Sequence, residues 1–100
     1  MSQVFKLHDI VTVLTPNGEY VGKFQVQDGD TVTLRDPRFV SVTEQGMGFA
    51  NGISMTGPAN PDLTTFYNIS ILQHTNQEVA EAYRQMTGSI AMPNTSSLIT

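Results

Sequence analysis

Two histidines, His8 and His74, and the acidic stretch Asp28-Gly29-Asp30 are the first places to look for chemistry in this chain. A histidine can act as a base or a metal ligand. Neither one here has a second ligand or a carboxylate cluster at a recognisable spacing, so both read as surface side chains at strand edges. Asp28 and Asp30 flank a glycine, but the Asp-x-Asp-Gly order and the terminal glutamate of a calcium loop are missing. Turn chemistry accounts for them better. The absence of cysteine excludes disulfides, a thiolate zinc site and a cysteine nucleophile. No Gly-x-Ser-x-Gly, phosphate-binding loop or dinucleotide fingerprint occurs. The expectation is a non-enzyme with no catalytic residue, metal or cofactor.

Binding has better candidates. Arg35 and Arg38 lie close together with Phe39 beside them, and an arginine next to an aromatic can hold single-stranded nucleic acid by stacking and charge. The bland alternative is a solvated turn with Phe39 in the core. Tyr67-Asn68 could stack on a base and hydrogen-bond its edge, or the tyrosine could fill a barrel seam. The net charge of −4 lacks the basic excess of a protein that grips phosphates by electrostatics alone. Nucleic-acid binding would therefore need a local site, or a surface multiplied by oligomerisation.

The elements that must position these residues begin with 10–36, which reads as three strands. They are joined by Pro16-Asn17-Gly18 and Asp28-Gly29, both strong hairpin signals. The first strand carries apolar residues on both faces, as in a strand covered on two sides or one that bends so that each half faces a different layer. Gly22 inside the second marks a bend or a close backbone approach. Asp36-Pro37 is expected to break the third strand, with Phe39, Val40 and Val42 resuming it or forming another. Residues 43–61 read as a long Gly-, Asn- and Pro-rich excursion with a weak hairpin around 49–55. Residues 63–72 fit two short strands meeting near Tyr67-Asn68, or one continuous strand. Thr75 to Glu78 has capping-box spacing, opening a helix over about 76–87 with Val79, Ala82, Tyr83 and Met86 as its apolar stripe. Gly88 would end it. Residues 1–88 then form one mainly β domain, a small barrel with a C-terminal helix, and 89–100 a flexible tail or docking arm. The N-terminus lacks the apolar core of a signal peptide, and no apolar run is long enough for a membrane span. A cytoplasmic protein without a membrane partner is the expectation.

The first meander resembles the Sm/Lsm family, which includes the bacterial Hfq type. The matching residues are Val11 and Val13, Asn17-Gly18, Gly22, Asp28, and Val32-x-Leu34; Tyr67-Asn68-Ile69-Ser70-Ile71 looks like the second family motif in its Hfq form. Together these cover about half the chain in the family's order of elements. Thr31 stands nearest to the place of the family's uridine-reading asparagine, and the helix falls at the C-terminal rather than the N-terminal end. The uncharged Thr/Asn/Gln-rich texture is compatible with a phage protein. The resemblance implies a strongly bent five-stranded antiparallel SH3-like barrel that pairs its fourth strand with the fifth of a neighbour, closing a homo-oligomeric ring. The pairing edges would be Leu63, Thr64, Thr65 and Phe66 against Ile69, Ser70, Ile71 and Leu72. Single-stranded RNA would bind at Asp28, Gly29, Asp30 and Thr31 with Tyr67 and Asn68, assisted by Arg35 and Arg38. The competing expectation is a structural or assembly protein that uses the barrel to oligomerise without binding nucleic acid.

Overall fold

The computed structural model describes residues 4–88; the tail or arm expected over 89–100 lies outside the described residues. Six strands and one helix follow in order: β1 (Ile10–Thr15), β2 (Gly18–Asp28), β3 (Thr31–Thr43), β4 (Gly46–Phe49), β5 (Leu63–Phe66), β6 (Ile71–His74) and α1 (Gln77–Thr87). All pairings are antiparallel. The order β4-β3-β2-β1-β6 forms one path, and β5 pairs with β3 off that path. β3 is long enough to pair with β2 along one side while β5 and β4 take successive halves of the other. The fold is mainly β with a short C-terminal helix; the sheet is not closed, and it has six strands where five were expected.

Local chemistry sets the hairpins. In the β1–β2 turn the Thr15 hydroxyl accepts from the Asn17 N–H (3.0 Å) and donates to the Gly18 carbonyl (3.3 Å). Thr43 repeats both bonds on Gln45 and Gly46 in the β3–β4 turn, at 3.2 and 3.3 Å. A hydroxyl two residues ahead of an amide mimics a backbone turn, so Thr-x-x-Gly builds both hairpins. The expected hairpin around 49–55 is displaced accordingly: β4 turns back onto β3 at 46–49, and 50–62 is irregular.

The third strand does not stop at Asp36-Pro37. Lys23 faces Arg35 and Val21 faces Arg38, so Asp36 and Pro37 together oppose Gly22. That is a bulge, one of the few places a sheet accepts proline. Asp36 has a φ of 55° there, an unfavourable conformation for a residue with a side chain. A Cβ on Gly22 would lie 3.0 Å from Leu34 Cβ and 3.2 Å from Pro37 Cα. The glycine lets the two strands bend against each other at one point.

Bending the sheet gives it two cores. Val11, Val13, Tyr20, Phe24, Val32, Leu34 and Phe66 pack on one face, joined by Phe5, Phe39, Ile53, Ile69 and Leu72. Ile10 and Val21 meet Ala80 and Tyr83 of α1 on the other, with Val40, Phe49 and Val79 around them. β1 is thus covered on both faces, as its composition implied. The helix begins one residue later than the capping box proposes: Asn76 is the N-cap and accepts from the Val79 N–H (2.9 Å), and Gly88 closes the C-terminus with a left-handed φ of 70°. Its buried residues are Ala80 and Tyr83, while Ala82 is exposed. Burial of Ala80 fits a helix lying with its first turn over Ile10.

Tyr83 ties helix to bend. Its ring is fully buried and edge-on to Phe49, and its hydroxyl donates to the Asp36 carbonyl (2.5 Å). Burial, and secondarily the Asp36 carboxylate, push its ionisation well above the ordinary tyrosine range near 10. Below pH 10 the phenol is neutral in the folded and unfolded chain alike. Above pH 10 the unfolded chain releases the proton and the folded one keeps it, so the unfolded state binds fewer protons and stability falls as pH rises. Tyr83→Phe is expected to cost about 1–2 kcal/mol at neutral pH through the lost hydrogen bond. It should also flatten the loss of stability above pH 10. Urea denaturation at pH 7 and pH 10.5 measures both.

Candidate functional site

The two stretches singled out for RNA contact meet at one end of the sheet. Gly29-Asp30 turns β2 into β3, with Gly29 at φ 62° and the Thr31 hydroxyl donating to the Asp28 carbonyl (2.7 Å). Tyr67 to Ser70 joins β5 to β6, and Asn68 takes a left-handed φ of 60°. Asparagine is among the side chains that tolerate that conformation best. The Ile69 N–H donates to the Asp30 carbonyl (3.0 Å), fastening one turn to the other. An open groove of about 420 Å³ runs beside this junction, lined by Phe5, Gln27, Gly29, Asp30, Ile69, Ser70 and Leu72. Tyr67 is 69% exposed rather than packed in a seam. The groove has apolar walls, amide and hydroxyl groups, and an aspartate, but no cation. Such a surface suits stacking and base-edge hydrogen bonds, and the two exposed aspartates disfavour phosphates.

The two arginines of the expected site are elsewhere. Arg38 is 3% exposed. Its guanidinium pairs with Asp36 Oδ1 (2.9 Å) and donates to the Ala59 carbonyl (2.6 Å) and to Asn60 Oδ1 (3.0 Å). It holds the 50–62 segment against the bend and presents nothing to a ligand. Arg35 is half-exposed and pairs with Asp62 Oδ1 at 2.6 Å. Phe39, beside Arg38 in sequence, packs edge-on to Tyr20 in the core. The histidines are also apart: His74 lies against Phe5 and 3.4 Å from Asp9 Oδ2, whereas His8 is an exposed turn residue at φ 75°. Among the described residues no group of three or more metal-ligating side chains comes together, and no helix is long and apolar enough to cross a membrane.

The second candidate surface is a pair of strand edges. The Asp36 N–H donates to the Asp62 carbonyl (3.0 Å), in register with Arg35↔Leu63, Leu34↔Thr64, Thr33↔Thr65 and Val32↔Phe66. Bonded and non-bonded pairs alternate in an antiparallel ladder, so Thr64 and Phe66 bond to β3 while Leu63 and Thr65 turn their backbone N–H and C=O groups outward. The Thr33 and Thr65 hydroxyls, 2.9 Å apart, fit the closer side-chain approach of a non-bonded pair. On β6 the Thr75 N–H donates to the Ile10 carbonyl (3.1 Å) in register with Thr12↔Gln73 and Leu14↔Ile71. By the same alternation Leu72 and His74 face outward. The edge strand is therefore Ile71–His74; Ile69 and Ser70, expected within it, belong to the preceding turn. Among the described residues no strand pairs with the outer side of β5 or β6. Leu63 and Ile71 leave 54% and 46% of their surface exposed along these edges.

The alternation that exposes these edges follows from backbone pairing and was not visible in residue types. The signal that could have located β4 was: Thr43-x-x-Gly46 repeats Thr15-x-x-Gly18.

No protein-family model matches the chain, and no curated protein or solved structure matches it either. Because Tyr67 is exposed and touches no core cluster, Tyr67→Ala should change the unfolding free energy by no more than about 0.5 kcal/mol. A thermal melt against the unsubstituted chain checks this; a tyrosine anchoring the fold would cost several times more.

Proposed function

We propose that the chain is an Sm-like subunit that assembles into a homo-oligomeric ring by pairing β5 of one copy with β6 of the next, and that the ring holds single-stranded RNA at the joined turns. The observation that carries this reading is the pair of open edges. They sit on either side of one short turn, each is only four residues long, and each displays unpaired backbone groups beside an exposed apolar side chain. The strand order β6-β1-β2-β3-β5, bent at Gly22 and Asp36-Pro37 into a barrel-like wall, supports the Sm-like comparison. Different edges meeting head to tail form a heterologous contact, which closes into a ring when the rotation allows. Closure would remove the edges on which small β proteins aggregate.

Ring formation repeats the Asp28–Tyr67 end of every subunit, so weak base contacts gain avidity. Tyr67 supplies a stacking face, and Asn68, Gln27 and the turn backbone supply hydrogen-bond partners for base edges. The competing reading is an assembly module that binds no nucleic acid, favoured by the two aspartates at that turn and by the apolar surface of Val42, Met47 and Met55.

Thr65→Pro tests the edge directly, since it deletes an outward N–H while sparing the bonds of Thr64 and Phe66 to β3. Native mass spectrometry should give a closed ring of about five to seven subunits for the unsubstituted chain and monomers for Thr65→Pro. A monomeric parent chain would defeat the ring. For RNA, fluorescence anisotropy with short U-rich and A-rich strands should show binding at low salt, weakened about 10-fold or more by Tyr67→Ala through lost stacking. An intact ring that binds neither strand would leave the assembly reading in its place.

A further inference from the structure

Five lysines and arginines serve an acidic chain of 100 residues, and three of them line one groove. Lys23 of β2, Arg35 of β3 and Arg84 of α1 surround a space of about 410 Å³, together with His8 and Ile10. Among the described residues no carboxylate lines it, although the chain carries nine aspartates and glutamates. Arg35 has one carboxylate partner, Asp62; among the described residues the side chains of Lys23 and Arg84 have no ion pair. Lys23 and Arg35 are moreover directly opposite in the β2–β3 register. Like charges facing each other across a ladder destabilise it. Asp62 offsets Arg35, and Lys23 and Arg35 also border an adjoining groove that holds Asp36 and Asp62; Lys23 and Arg84 are the cations that an anion in this groove would offset.

We infer that this groove binds a phosphate group, and specifically a backbone phosphate of the single strand whose bases meet the Asp28–Tyr67 end; the occupant, though not the groove, rests on the RNA reading above. Two guanidinium forks and an ammonium match the several acceptor oxygens of a phosphate, which arginine engages bidentately. The groove also separates tasks that the base site cannot combine. Its cations lie on the face of β2–β3 that α1 partly covers, away from Asp28 and Asp30. Arg35 lies four steps along β3 from Thr31, about 13 Å of extended backbone, a span that a few nucleotides bridge.

The double variant Lys23→Gln/Arg84→Gln tests this, with Tyr67→Ala beside it. Anisotropy with U-rich and A-rich strands should show a loss of affinity of about 10-fold at low salt that is equal for both sequences. The slope of log affinity against log salt should become shallower by about 1.4, the value for two phosphate contacts on a single strand. Thermal stability of Lys23→Gln without ligand should equal or exceed that of the parent, because a repulsive pair is relieved. If RNA binds the double variant as tightly and with the same salt slope, the groove is no phosphate site, and the RNA reading survives through Tyr67. If no RNA binds the parent chain, the RNA reading falls and inorganic phosphate decides. A rise in melting temperature in phosphate over chloride at equal ionic strength, absent from the double variant, keeps the groove as a free-phosphate site. An equal rise in both chains overturns it.

Discussion

The point on which the structure turns is the Asp36-Pro37 bulge opposite Gly22. A left-handed aspartate before a proline is unfavourable in isolation, and three contacts hold it in place. The Tyr83 hydroxyl caps its carbonyl, the Asp62 carbonyl accepts its N–H, and its carboxylate meets buried Arg38. These bonds reach the helix, the start of β5 and the irregular 50–62 segment. The bend that curves β2 and β3 is thus also where α1, the start of β5 and the 50–62 segment are fastened. Removing either side of the arrangement would leave buried polar atoms without partners, a larger penalty than the bonds gain.

Arg38 illustrates how the same residue type is put to different work by its distance from that bulge. Two residues separate it from Arg35 in sequence, yet one guanidinium is enclosed and engaged by loop oxygens of Ala59 and Asn60 while the other borders solvent. Charge is rationed in this chain, so the position of each cation carries information. The acidic turn end and the basic flank under α1 give the small sheet two chemically distinct ends. Between them the backbone itself offers recognition, through the outward amides and carbonyls of Leu63, Thr65, Leu72 and His74. Neither kind of surface depends on a catalytic constellation.

Much of this was legible in the sequence because it is encoded by short-range chemistry. Alternation with Asn17-Gly18 and Asp28-Gly29 specified β1 to β3, the two-faced apolar pattern of β1 anticipated cores on both sides, and Gly22 marked the bend. The helix was recognisable from Tyr83 and Gly88, although its N-cap is Asn76 and not the Thr75 of the capping-box spacing. What escaped depends on pairing between distant segments. Proline next to Asp36 reads locally as a stop, and only the glycine facing it makes a bulge that lets β3 continue. Arg38 reads locally as an exposed cation, because its partners Ala59 and Asn60 lie across a segment with no periodic pattern. The Tyr67–Ser70 connection is fastened to the Asp28–Thr31 turn through Ile69 and Asp30, whereas Arg35 and Arg38 lie away from that junction.

The double covering of β1 has a kinetic counterpart. This strand lies between β2 and β6 with one core on each face, so its amides meet water only when sheet and helix layers separate together. Hydrogen exchange at Val11 and Val13, whose amides pair with β2, is therefore expected to need global unfolding and to read out the full stability of the domain. The tip of the β3–β4 hairpin, solvent-facing at Val42 and Met47, can open while Val40 and Phe49 stay packed on the helix-side core, and it exchanges through local fluctuations. The two rates, measured in one sample, would separate events at the periphery of the sheet from loss of its centre.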